Sequence, residues 1–328
     1  MIACSLCGSG CASAPYLYGR FQPANVQEET PQQVVFEYGT PHKVLDKLAW
    51  VVALPTRILP MHPKINSHTL SPATTDKLKT YLEENDLSDV LVRVNQYDPA
   101  GEWRRLKENT RLAPGWRYTF GTASLVGYTV LPGRVFGGDL YNPFTNTLYV
   151  NSDVAAMLIV EAAYAKDLHT RTLPGTYAAI NEFPVLTLWR YTLGVNDTLG
   201  YSVVEDDWEL ERETYRTVYP LMGIHAALGG HSAASMAIAM PNLTVPLTMI
   251  GGAVVGHTVG QTTIAHRERQ RKVESNEEIA SHKNTRRDSE ANDDSDSGIK
   301  MIGFEEIPSS ETNPGKQERR QLPLTDSP

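Results

Sequence analysis

The sequence predicts an α+β protein: a small sheet with long helices, then an Ala/Gly-rich apolar helical hairpin, then a charged, disordered tail. Three observations predict it. Short β-branched runs such as Val90-Leu91-Val92-Arg93-Val94 alternate with longer stretches at helical spacing. No Asp, Glu, Lys or Arg occurs from Thr217 to His266. Beyond it, 11 Lys plus Arg and 14 Asp plus Glu crowd a segment poor in apolar residues, which cannot offset the entropy of ordering. The chain of 328 residues is long enough for a substantial core, and its net charge of −8 argues against bulk electrostatic binding to nucleic acid. The expected organisation is an arm over 1–42, an α+β domain over 43–216, apolar helices over 217–266 and the tail over 267–328.

Residues 12–42 are rich in Pro, Gln and Gly and read as an extended arm. A short helix over 43–59 is kinked or stopped by Pro55, and Trp50 and Val51 could rest on a membrane surface. Ser71-Pro72 opens a helix with Leu78, Tyr81 and Leu82 on one face, ending at Asn85. Asp89 to Tyr97 reads as a strand and Glu102 to Asn109 as a polar helix. Tyr118 to Leu131 alternates loosely, which predicts one or two strands. Asn142-Pro143 marks the turn of a hairpin over 133–150. Ser152-Asp153 is expected to cap an apolar helix reaching His169, and Leu173-Pro174-Gly175 to break the chain. Helices follow from about Phe183 to Val204 and from Asp206 to Tyr219. Met222–Met240 and Leu243–Ile264 are each long enough to span a bilayer, with Gly252, Gly256 and Gly260 forming a small-residue stripe between helices.

All three cysteines lie at the start of the chain, at Cys4, Cys7 and Cys11. Cys4-x-x-Cys7 has no second cysteine pair to complete a four-ligand zinc site. Gly8-Ser9-Gly10-Cys11 followed by Ala12-Ser13-Ala14 resembles the end of a bacterial lipoprotein signal, which makes Cys11 a lipidation candidate, although no apolar h-region precedes it.

The hairpin leads into Val160-Glu161-Ala162-Ala163-Tyr164, in the middle of an apolar helix. In an H-E-x-x-H helix, two His one turn apart hold zinc and the Glu polarises the zinc-bound water. Asp139 through Asp153, then Glu161-Ala162, Ala165-Lys166-Asp167, Gly175-Thr176-Tyr177-Ala178 and Asn196-Asp197, resemble gluzincin-type zinc metallopeptidases among uncharacterised bacterial membrane-associated proteins. The resemblance covers roughly residues 40–265. It implies a zincin-like domain in which the two His positions hold Val160 and Tyr164 and the third ligand position holds Tyr191. Glu161 would be a vestigial general base, flanked by Asp167, Asn196 and Asp197. Val cannot ligate zinc and a phenol is a poor replacement for imidazole. The implied protein is a catalytically inactive, membrane-associated pseudo-metallopeptidase of the bacterial cell envelope that binds or scaffolds a partner. It would take no cofactor, touch membrane lipid and bind no nucleic acid. Two alternatives stand beside it: a metallohydrolase with a rearranged site, the only reading that brings in zinc, and a lipid-anchored envelope protein without peptidase ancestry. A buried Glu161 would need a partner, for which Arg190, Tyr191 and, with poorer geometry, Lys166 are available.

Overall fold

The structure is a computed structural model that describes residue 16 and residues 33–40, 43–131, 135, 137–237 and 244–296. The chain divides into two units, Met1–Arg271 and Lys272–Pro328. Cys4, Cys7 and Cys11 lie outside the described residues.

The first unit is mixed α+β, built on a four-stranded sheet. Its strands are β1 (Phe36–Tyr38), β2 (Leu91–Val94), β3 (Leu140–Asn142) and β4 (Thr147–Val150), in the order β1-β2-β4-β3. The pairs β1–β2 and β2–β4 are parallel, and β3 closes one edge antiparallel to β4. Every residue of β2 and β4 is buried, as expected where helices cover a parallel sheet. The hairpin expected over 133–150 forms its strands at β3 and β4. Its turn ends on Asn146 at φ 53°, a left-handed conformation that Asn tolerates. The Asn146 side chain accepts from the Tyr141 hydroxyl at 2.7 Å.

The helix over 43–59 divides at Ala53 into α1 (Lys43–Val52) and α2 (Leu54–Ile58), with Pro55 in the first turn of α2. Helix α3 (Pro72–Glu84) starts and stops as its sequence predicts, with Ser71 accepting from the Thr74 N–H and Asn85 as C-cap. Helix α4 spans Pro99–Glu108. Tyr118 to Leu131 is not strand. A short α5 (Pro114–Trp116) runs through a π turn (Arg117–Gly121) into α6 (Thr122–Val130). The buried residues there are Arg117, Gly121 and Leu125, spaced by four, which is helical periodicity carried by residue types that do not look apolar.

Helix α7 (Ala155–His169) is buried almost all round, and α8 (Pro174–Asn181) begins where Leu173-Pro174-Gly175 was expected only to break the chain. Ser152 and Asp153 do not cap α7; Val154 holds that position without a side-chain bond. Ser152 Oγ accepts from the Asn66 N–H, and Asp153 accepts from the N–H and hydroxyl of Ser71 while pairing with Lys64 at 3.0 Å. Burial would raise the Asp153 pKa, but bonds from Thr74, Ser71 and Lys64 hold it well below the usual carboxylate range. The start of α7 is closed from a distance instead: the Ala156 N–H donates to Glu213 Oε2 at 2.9 Å.

Helix α9 (Pro184–Val204) packs along α7. Helix α10 (Trp208–Glu213) starts on Asp207, whose side chain accepts from the Leu210 N–H, and runs through a π turn (Thr214–Val218) into α11 (Tyr219–Ala237). Helix α12 starts at Thr244 and ends at Asp296. Residues 267–296 are therefore helical where a disordered tail was expected; Glu, Lys and Arg are good helix formers even where they bury nothing. The glycine stripe lets α11 and α12 meet at backbone distance. A Cβ on Gly223 would lie 2.1 Å from the Gly252 carbonyl oxygen, and one on Gly256 would lie 2.3 Å from that of Tyr219. His257 bonds to the Leu59 carbonyl, Arg267 forks onto Glu211 at 2.6 and 3.3 Å, and Arg271 pairs with Asp206. Among the described residues no helix is long and apolar enough to cross a membrane.

Gly256→Leu should lower stability by about 1–3 kcal/mol or more through overpacking, read as a lower denaturation midpoint. An unchanged midpoint would contradict the close approach of α11 and α12. Asp153→Asn should cost about 1–3 kcal/mol at neutral pH. The Asp153 pKa is depressed in the folded state, so its contribution is fully present above about pH 4 and lost as pH falls through the folded value. The gap between wild type and variant should therefore close in acid. Denaturant titrations at several pH values would show it.

Candidate functional site

The residues singled out by sequence converge on the contact between α7 and α9. A Cβ on Gly194 of α9 would lie 2.7 Å from the Val160 carbonyl oxygen, so the two backbones touch at the expected motif. Glu161 and Tyr191 face each other closely enough that the carboxylate contributes to raising the Tyr191 pKa, second to burial.

Glu161 is buried. Its Oε2 accepts from the Tyr141 N–H of β3 at 3.1 Å and lies 3.8 Å from Arg190 Nη1. The Arg190 guanidinium sits 4.4 Å over the ring of Tyr164. Burial works against the charged form of Arg190, yet Glu161 and its other neighbours raise its pKa further, so it stays a cation. Tyr164 packs edge-on to Tyr141, with centroids 5.6 Å apart, and burial raises its pKa. Tyr191 stacks on His225 at 5.0 Å, and His225 Nδ1 bonds to the Leu221 carbonyl. Asp139 approaches from the segment before β3; its carboxylate accepts from the N–H groups of Asn151 and Ser152, and burial raises its pKa.

The flanking residues have a separate role. Lys166 is wholly buried and bonds both oxygens of Asp197, at 2.8 and 3.2 Å. The Tyr81 hydroxyl donates to Asp197 Oδ2 at 2.6 Å, and the ammonium sits 3.8 Å from the centre of the Tyr16 ring. Burial pulls both ions toward neutrality, and each is held charged by the other. Asp167 accepts from Arg171 at 2.7 Å and from the Tyr177 hydroxyl. Asn196 is half-buried beside Asp197. Lys166 is therefore committed to Asp197, and Arg190 is the side chain that answers Glu161.

Among the described residues no three His, Cys, Asp or Glu side chains converge to hold a metal ion. The groups around Glu161 do not fit zinc: they are two phenols, an apolar side chain and a fixed guanidinium, whose charge opposes a second cation. His169 is half-buried near Arg111 and Asp89, and desolvation lowers its pKa to about 4. The arrangement can balance a buried negative charge and position aromatic surface.

Sequence reasoning anticipated Arg190 but missed Glu213 as the cap of α7 and His225 against Tyr191. A glutamate placed far along the chain leaves no local signal of capping. Comparison with protein-family models, with curated proteins and with solved structures finds no match.

Lys166→Met should destabilise by about 3–5 kcal/mol, because it leaves Asp197 charged and buried. Replacing both, with Lys166→Met and Asp197→Leu, should recover much of that loss. Chemical denaturation of the three proteins tests it; equal losses in the single and double variants would remove Lys166 and Asp197 as a coupled pair.

Proposed function

We propose that this chain is a pseudo-metallopeptidase: a zincin-like, membrane-associated binding or scaffold protein of the cell envelope in which the peptidase chemistry has been lost. One observation carries the reading. The glutamate at the general-base position is answered by the Arg190 guanidinium and the Tyr141 N–H, and the ligand positions carry Val160, Tyr164 and Tyr191. Val and two phenols beside a fixed guanidinium are a poor ligand set for zinc, the ion that would lower the pKa of a bound water.

The architecture is compatible with such an ancestry: an antiparallel edge strand, β3, leads through β4 into the helix that bears Glu161. The position that would hold a third ligand carries Tyr191, beside Glu161. Association with membrane lipid draws support from apolar side chains left on the surface. Leu247, Ile250, Val254 and Val255 are exposed on α12, as are Trp50 and Val51 on α1.

Purified full-length protein is expected to carry no stoichiometric zinc and to hydrolyse no peptide. Elemental analysis giving one zinc per chain, lost on changing Glu161, would overturn the reading in favour of a rearranged metal site. Val160→His, Tyr164→His and Tyr191→Glu together, with Arg190→Leu to remove the competing cation, should create measurable zinc affinity. No gain in binding by a folded variant would count against the assigned positions. For the membrane arm, flotation with phosphatidylcholine vesicles should carry the protein upward, and protein left wholly at the bottom would remove it.

A further inference from the structure

The buried ion pair of Lys166 and Asp197 is covered on one side by Tyr16, which belongs to neither helix nor strand. The body of the protein is shaped to that one side chain. The Lys166 ammonium lies 3.8 Å from the centre of its ring, against the electron-rich face. Its hydroxyl donates to Asn85 Oδ1 at 2.7 Å. The ring of Tyr201 stands beside it, with centroids 5.9 Å apart, and Tyr201 in turn packs edge-on against Tyr81 at 4.9 Å. Gly200 supplies a notch for its backbone: a Cβ there would lie 2.4 Å from Tyr16 Cα and 2.6 Å from its nitrogen.

These features select a tyrosine rather than any aromatic ring. Asn85 is wholly buried, and its Nδ2 donates to the Tyr81 carbonyl at 2.8 Å. The amide is thereby fixed with its acceptor oxygen toward Tyr16, so a phenol satisfies it and a phenyl ring does not. Lys166 is held as a cation by Asp197, and an electron-rich ring face answers that charge. The layering also makes the occupant separable from its socket. Tyr81, Asn85 and Lys166 are wholly buried, whereas Tyr16 is half-buried at the mouth. Helices α3, α7 and α9 carry the walls, and no helix or strand pairing is broken when Tyr16 leaves.

We propose that α3, α7 and α9 form a binding socket for a tyrosine side chain, filled in cis by Tyr16, which a tyrosine-bearing segment of a protein partner enters when Tyr16 withdraws. Tyr16 is then a built-in competitor: tethering gives it an effective concentration on the order of millimolar, which a partner's tyrosine must overcome. The socket rests on the binding half of the proposed function and not on the loss of peptidase chemistry, because Glu161 and the degenerate ligand positions take no part in it. Zinc content is the same whichever way the socket behaves.

The probe is p-cresol, the tyrosine side chain as a free molecule, titrated calorimetrically into the full chain. Tyr16→Ala should bind it about tenfold or more tightly than wild type does, and should bind toluene, which has no hydroxyl for Asn85, about tenfold more weakly than p-cresol. A capped peptide copying Ala14-Pro15-Tyr16-Leu17 should bind the emptied socket, and the same peptide with phenylalanine in place of tyrosine should bind less well. Lysine acetylation read by mass spectrometry reports the cover. Lys166 should react about tenfold or more faster in Tyr16→Ala and be protected again by p-cresol, while the exposed Lys64 reacts equally in both. Gly200→Ala is a second route that keeps the socket's side chains. Ala suits a helix better than Gly, but its Cβ expels the Tyr16 backbone, so Lys166 should become reactive and p-cresol should bind there too. Affinity for p-cresol in a folded variant equal to that of wild type, toluene bound as tightly as p-cresol, a peptide that does not bind, or Lys166 as slow in both variants as in wild type would each overturn the proposal.

Discussion

A helix enclosed on nearly every side cannot leave a charge unanswered, and α7 carries three charged side chains within its buried length. Each draws in a different element. Glu161 takes an N–H from β3 and a guanidinium from α9. Lys166 takes Asp197, also on α9. Asp167 takes Arg171 on the turn after the helix and Tyr177 on α8. The N-terminal end of α7 obeys the same rule, taking a carboxylate from α10. The positions of α8, α9 and α10 around α7 are thus fixed by polar demands as well as by apolar contact.

Much of this order is legible in the sequence, and the reasons divide cleanly. Helix α3 is legible because Ser71, Pro72 and Asn85 act within a turn of its ends. The hairpin at Asn142-Pro143 is legible for the same reason. Helix α6 was not, because its buried period is carried by Arg117 and Gly121, which hydrophobic patterning does not count. The start of α7 was misread because Ser152 and Asp153 are good capping residues drawn into longer-range bonds, while its end at His169 falls where expected. At the site, helical spacing is enough to put Val160, Glu161 and Tyr164 together, whereas Tyr191 joins them only through the resemblance to the gluzincin motif. It could not show that Arg190 would stand between the carboxylate and the Tyr164 ring, since that depends on how α9 is rotated against α7.

The uncharged stretch shows how one composition serves two ends. Gly223, Gly252 and Gly256 allow α11 and α12 to touch along their backbones, a packing that requires small residues in water or in lipid. The larger apolar residues of the same helix, Leu247, Val254 and Val255, point outward. Gly252 and Gly256 thus face inward where Val254 and Val255 face outward, and only farther along does a large residue of this helix, Ile264, enter the core.

The cation beside Glu161 is part of the polypeptide. A metal ion exchanges with its surroundings, competes with other metals and can be removed by a chelator. A guanidinium is made at the ribosome, remains protonated across the physiological range and cannot dissociate. The positive charge that answers Glu161 is therefore set once, by translation.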